Sequence, residues 1–166
     1  MPIAAPLLHA ASAHAADVPA RGPIITGADV SFRRGQPAGG ELMTEQDRMR
    51  PGQMRRIGSA YLRLWGLADL VDSASVLLTE LVTNAFQHGS GDVVDVRLYF
   101  TPVDLCFEVR DGGPWVPGIR SATKFAQRGR GLLLVDRLAD AWGVSEDGSR
   151  VWCVVSRDLG KPEGDR

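Results

Sequence analysis

Lysine is nearly missing from this chain. Of 19 basic residues, only Lys124 and Lys161 are lysine and the rest are arginine, a bias that hints at a GC-rich coding sequence and says nothing of function. A basic excess is missing too, because 20 acidic residues leave a net charge of −1. Nucleic-acid-binding surfaces ordinarily bring a clear surplus of positive charge, so direct nucleic-acid binding is not expected. Cysteine is scarce: Cys106 and Cys153 lie in alternating apolar stretches without the neighbours of a metal site, which reads as two buried thiols in preference to a disulfide. No run of 18 apolar residues exists, so no membrane span is expected. The Ala-rich first 20 residues lack an early positive region and are broken by His9 and His14, which argues against a signal peptide. The expected location is cytoplasmic.

What is present suits one globular domain. The 166 residues are 44% hydrophobic and 23% charged, enough apolar material for a packed core. Residues 1–40 read as an Ala/Pro/Gly-rich extension ending in a Pro37-Ala38-Gly39-Gly40 linker, with a short strand over 28–33 hidden in it. The domain proper is expected over 41–158, with a tail at 159–166. From about Gly52, Met54, Ile57, Tyr61, Leu64 and Trp65 recur at helical steps until Gly66. A second helix is expected from Asp72 as N-cap, with Val76, Leu77, Leu81, Val82 and Ala85 as its apolar side and Gly89 as its stop. Period-two alternation follows over 93–100 and 105–110, a β-hairpin. A Gly/Pro-rich segment covers 111–131, a short helix 132–140, and a last hairpin pairs 141–145 with 151–156. Three helices on one face of a mixed or antiparallel sheet, an α+β two-layer sandwich, accounts for this order.

Polar residues on the second helix stand out. Glu80, Asn84 and His88 repeat every four residues, so they stack along one stripe about 6 Å apart in rise. A carboxylate, an amide and an imidazole in line can serve a hydrated Mg²⁺ and a phosphate chain; a solvated i,i+4 ladder is the plainer reading of that helix alone. Asp111-Gly112-Gly113 closes the first hairpin. A carboxylate there can accept a hydrogen bond from an exocyclic amine such as that of adenine, although Asp-Gly also serves ordinary turns. Arg128-Gly129-Arg130-Gly131-Leu132 opens a helix, where glycines let backbone amides approach an anion. Charge placement agrees: residues 112–135 hold Arg120, Lys124, Arg128 and Arg130 and no acid.

Taken together and in order, these segments resemble the Bergerat-fold (GHKL) ATPases, the superfamily of gyrase-type topoisomerases, heat-shock chaperones, sensor histidine kinases and mismatch-repair ATPases. Glu80-Leu-Val-Thr-Asn84-Ala85-Phe-Gln-His88 resembles the N-box, Asp111-Gly-Gly113 the adenine-recognising box, and Gly129-Arg130-Gly131-Leu132 the glycine box. The small anti-sigma-factor serine/threonine kinase branch matches in length and in the run from Gly129 to Val135 followed by Trp142-Gly-Val144. The resemblance spans about residues 45–156. It implies the Bergerat fold, ATP and Mg²⁺ as cofactors, Glu80 as general base, Asn84 as the Mg²⁺ ligand, Asp111 with Gly113 at adenine, and Gly129 and Gly131 under the phosphates. Arg128, Arg130 and Leu132 belong to the same cradle, residues 114–128 would form a lid, and His88 either meets nucleotide or caps its helix. The implied activity is transfer of the ATP γ-phosphate to a Ser or Thr of a STAS-type anti-sigma-factor antagonist, with a sigma factor as a further partner and a homodimer as the assembly. A non-catalytic ATP/ADP-binding regulator is the alternative.

Overall fold

The period-two stretches become one sheet. The computed structural model describes residues 18–112, 129–145 and 148–157. Within them, strands β1 (Thr26–Arg33), β2 (Val93–Phe100), β3 (Asp104–Arg110), β4 (Ala141–Val144) and β5 (Arg150–Ser156) lie in the spatial order β1-β2-β3-β5-β4. Every pairing is antiparallel. Helices α1 (Glu45–Leu64), α2 (Val71–His88) and α3 (Gly129–Leu138) complete the described elements, apart from a 3₁₀ turn at Ala68–Leu70. Successive strand residues face opposite ways. Val94, Val96 and Leu98 of β2 and Leu105, Phe107 and Val109 of β3 therefore meet Leu77, Leu78, Leu81 and Val82 of α2 in the main core. This is the expected two-layer α+β sandwich. Its edge strand β1 comes from the stretch preceding residue 41, pairing along the full length of β2.

Element ends differ from expectation where local caps decide them. The helix expected from about Gly52 begins earlier, at Glu45, and carries Pro51 inside it. The Thr44 hydroxyl accepts from the Asp47 N–H at 3.1 Å, and Glu45 and Asp47 set negative charge against the positive helix end. Leu62 fills the core while Leu64, expected on the apolar face, is 78% exposed. Asp72 is not the cap of α2: the 3₁₀ turn runs straight into the helix, Leu70 takes the N-cap position without a side-chain bond, and Asp72 sits in the first turn. Val76 likewise faces solvent. The third helix starts earlier than expected, at Gly129, and ends at Leu138.

The second face of the sheet has its own small core of Tyr99, Cys106, Trp152 and Val154, against which Val18 and Ala20 pack. Gly143 makes room for it, since a Cβ there would lie 2.5 Å from the Trp152 ring. Both cysteines are free and buried, as expected. Burial pushes the Cys106 thiol up to about 12 and the Cys153 thiol in the same direction, so neither is a thiolate at neutral pH.

Arg21 fastens the covering segment. Its backbone N–H and Nη2 donate to the buried Asp104 carboxylate at 2.7 and 2.8 Å, and Nη2 also donates to the Ser156 hydroxyl at 3.1 Å. Burial pushes the Asp104 carboxyl upward, but the Arg21 hydrogen bonds and charge outweigh it and hold the carboxyl below its ordinary range. A carboxylate depressed in the folded state stabilises fully above the unfolded value, about 3.9, and loses that contribution as pH falls through the folded value. Asp104→Asn is therefore expected to lower the urea midpoint at pH 7 and to flatten its decline into acid. Midpoints measured at both ends of that range check this; equal midpoints at pH 7 would show the clamp to be inert.

Candidate functional site

α2 carries the polar stripe at the border of the apolar side that packs on the sheet. Glu80 and His88 are half-buried, whereas Asn84 is 7% exposed and lies between Leu81 and Ala85 of the packed side. Its amide nitrogen is buried, and among the described residues no acceptor reaches it. Leaving a buried donor unpaired costs about 1–3 kcal/mol. Flipping the amide would put its oxygen at this buried position instead.

Asp111 arrives from the other side. It follows directly on β3, is 8% exposed, and is held by a bond from its N–H to the Ser149 carbonyl at 3.3 Å. Gly112 turns the chain away with φ +66°, a conformation that disfavours side chains, and a Cβ there would meet the Val93 carbonyl oxygen at 2.3 Å. Only glycine fits, and the tight turn fixes where the Asp111 carboxylate stands.

Asn84 and Asp111, 27 positions apart in sequence, line one cleft between α2 and the sheet. Leu81, Val109 and Val151 give it apolar walls, and Ser149 stands at its rim. This is the pattern of a small-molecule site, apolar walls with a few placed polar groups. The cleft holds about 20 Å³, little more than one water. A far larger cavity, about 530 Å³, opens on the opposite face of the sheet. Two ion pairs lie within it, Arg150 donating to Glu108 at 2.9 Å and Arg97 standing 3.6 Å from Asp29, and neither the α2 stripe nor Asp111 lines it. Size alone singles out that face; the unmet amide and the buried carboxylate single out the cleft.

The remaining expected residues belong to the segment after Asp111. Gly129, Arg130, Gly131 and Leu132 form the first turn of α3, the end at which a helix presents free backbone N–H groups. Trp142 Nε1 donates to Asp136 Oδ1 at 3.1 Å, tying α3 to β4. Gly113, Arg128 and the expected lid over 114–128 lie outside the described residues, as do the side chains of Arg130 and Leu132.

Comparison with known families settles the class. A model of the histidine kinase-like ATPase domain matches residues 44–155. The chain belongs to that family. No curated protein matches the chain. As a histidine kinase-like ATPase domain it stands among ATP-dependent kinases and ATPases, whose domain is an ATP-binding one. No described helix of this domain is long and apolar enough to cross a membrane. Sequence reasoning missed Ser149 and Val151 as cleft residues, since both read as parts of an ordinary hairpin. Nothing in the local pattern marks them, because it is the β3–β5 pairing that brings them beside Asp111.

Proposed function

We propose that the domain binds Mg-ATP in the cleft between α2 and the sheet and passes the γ-phosphate to a serine or threonine hydroxyl of a partner protein. The observation that carries this reading is the convergence of the unpaired Asn84 amide and the buried Asp111 carboxylate on one cleft. Asp111 accepts the exocyclic amine of adenine, and Leu81, Val109 and Val151 cover the faces of the base. Among the described residues no three His, Cys, Asp or Glu side chains cluster as a metal site. A single amide oxygen from Asn84 suits Mg²⁺, which keeps its waters and takes its other ligands from phosphates; bound there it would neutralise phosphate charge. The backbone N–H groups of Gly129 and Gly131 at the start of α3 receive phosphate oxygens.

Glu80 is one turn of α2 before Asn84 and acts as general base. It accepts the proton of the acceptor hydroxyl as that oxygen bonds to the γ-phosphorus, and the bond from phosphorus to the bridging oxygen breaks with its electron pair leaving on ADP. Phosphoryl transfer asks a protein mainly for positioning and charge neutralisation, which these residue types provide. The acceptor that the likeness of the Gly129 to Val135 run and Trp142-Gly-Val144 to anti-sigma-factor kinases supports is an anti-sigma-factor antagonist of the STAS type, with a sigma factor as the species released or held.

Calorimetry with Mg-ATP is the first test, followed by transfer of labelled γ-phosphate to a co-purified antagonist. Binding with micromolar or tighter affinity, lost on chelation of Mg²⁺, is the expected result. No heat of binding by the folded chain removes the nucleotide reading. Binding without transfer to a partner shown to associate replaces the kinase with a nucleotide-binding regulator.

A further inference from the structure

β1 ends at Arg33, and the next side chain reaches the far end of α2. The Arg34 guanidinium donates to three carbonyls there: Nη1 to Phe86 at 2.8 Å, Nη2 to Ala85 at 3.1 Å and Nε to Gly91 at 2.6 Å. It also lies over the Phe86 ring, 5.2 Å from its centre, while the Arg34 N–H donates to the Asp92 carbonyl at 2.7 Å. The last carbonyls of a helix lack donors and carry partial negative charge, and a rigid fork of five N–H groups answers several of them at once.

This cap touches the base-reading end of the cleft through one residue. The Gly89 N–H donates to the same Ala85 carbonyl at 2.9 Å. A Cβ on Gly89 would lie 2.4 Å from that oxygen, 2.6 Å from the Asp111 Cβ and 2.7 Å from Arg34 Nη2. The Gly89 backbone, at φ −76°, is open to any residue, so crowding and not conformation demands glycine. The Ala85 carbonyl, Arg34 Nη2 and Asp111 Cβ thus all crowd the one side of Gly89 where a side chain would stand. The family match begins at residue 44 and does not include Arg34.

We propose that Arg34 is a positioning residue for base recognition, holding the end of α2 so that the Gly89 backbone buttresses Asp111 at the correct place for the base edge. The proposal rests on the nucleotide reading above. It makes β1, an edge strand, part of the specificity of the site: whatever displaces β1 from β2 also loosens the support of Asp111.

The test compares the full-length chain with Arg34→Ala and Arg34→Lys, reading Mg-ATP and Mg-GTP affinities by competition well below each melting temperature. Arg34→Ala is expected to shrink the preference for ATP over GTP about tenfold, the order of one recognition hydrogen bond. Mg-GTP affinity, carried by phosphate contacts, stays at the wild-type level. Arg34→Lys keeps the charge without the fork and falls between the two. An equal loss for both nucleotides, or an unchanged preference, overturns the positioning role. If Arg34→Ala does not fold, Arg34→Lys decides alone by the same ratio. A folded wild-type chain that binds neither nucleotide overturns the nucleotide reading and this proposal with it, whereas a wild-type preference kept in both variants overturns only the role of Arg34.

Discussion

Replacing Glu80 by Gln is expected to slow phosphoryl transfer by about 10²–10⁴-fold, the range supplied by a positioned general base. Gln keeps the size and the hydrogen-bonding reach of Glu but cannot take a proton at neutral pH, so the change isolates proton transfer from positioning. Glu80 is half-buried on α2 and is not among the residues lining the cleft beside Asp111, which makes Mg-ATP affinity insensitive to the change. Melting temperature stays close to wild type, since the substituted side chain contributes nothing to the main core. Single-turnover transfer from γ-labelled ATP, with calorimetry on the same preparation, separates the two effects. Transfer at the wild-type rate would remove Glu80 from the chemistry, and lost binding would instead place it in the nucleotide contact.

That prediction was legible in the chain before any coordinates, because helical geometry is strongly periodic. Four-residue spacing puts Glu80, Asn84 and His88 on one stripe whatever surrounds the helix, and the apolar residues Leu77, Leu81 and Ala85 name the side that packs. The hairpins were legible for the same reason, their alternation assigning Val94, Val96 and Leu98 to one face. What sequence could not supply was long-range pairing. The Asn84 amide is an unmet donor only because the sheet excludes water around it, and Ser149 meets Asp111 only because β5 pairs with β3. The start of α1 fell earlier than its apolar spacing marks: Pro51 forgoes one hydrogen bond, and the Thr44 cap and the Asp47 carboxylate, which accepts from the Gly35 N–H at 3.1 Å, hold the end regardless. Arg34 carried no local signal at all. It follows another arginine and precedes a linker-like stretch, and its meaning depends on the distant end of α2.

Asp111→Asn is expected to weaken Mg-ATP about 10–100-fold, in line with losing a hydrogen bond to a charged group in a dry site. The variant preserves shape. Asn fills the volume of Asp beside Gly89, and Gly112 still turns the chain at φ +66°. The sign of the specificity change follows from donor and acceptor count. Adenine presents an amine that donates, which a carboxylate can only accept; guanine presents a carbonyl oxygen at the corresponding position, which a carboxylate repels. Asn owns both an oxygen and an NH₂, and by turning its amide it can donate to guanine. Competition against labelled ADP should therefore show the ATP affinity falling while Mg-GTP improves, compressing the ratio from both sides. A loss shared equally by the two nucleotides would mean that Asp111 supports the walls of the cleft without reading the base, and an unchanged ATP affinity would move adenine recognition away from β3 altogether.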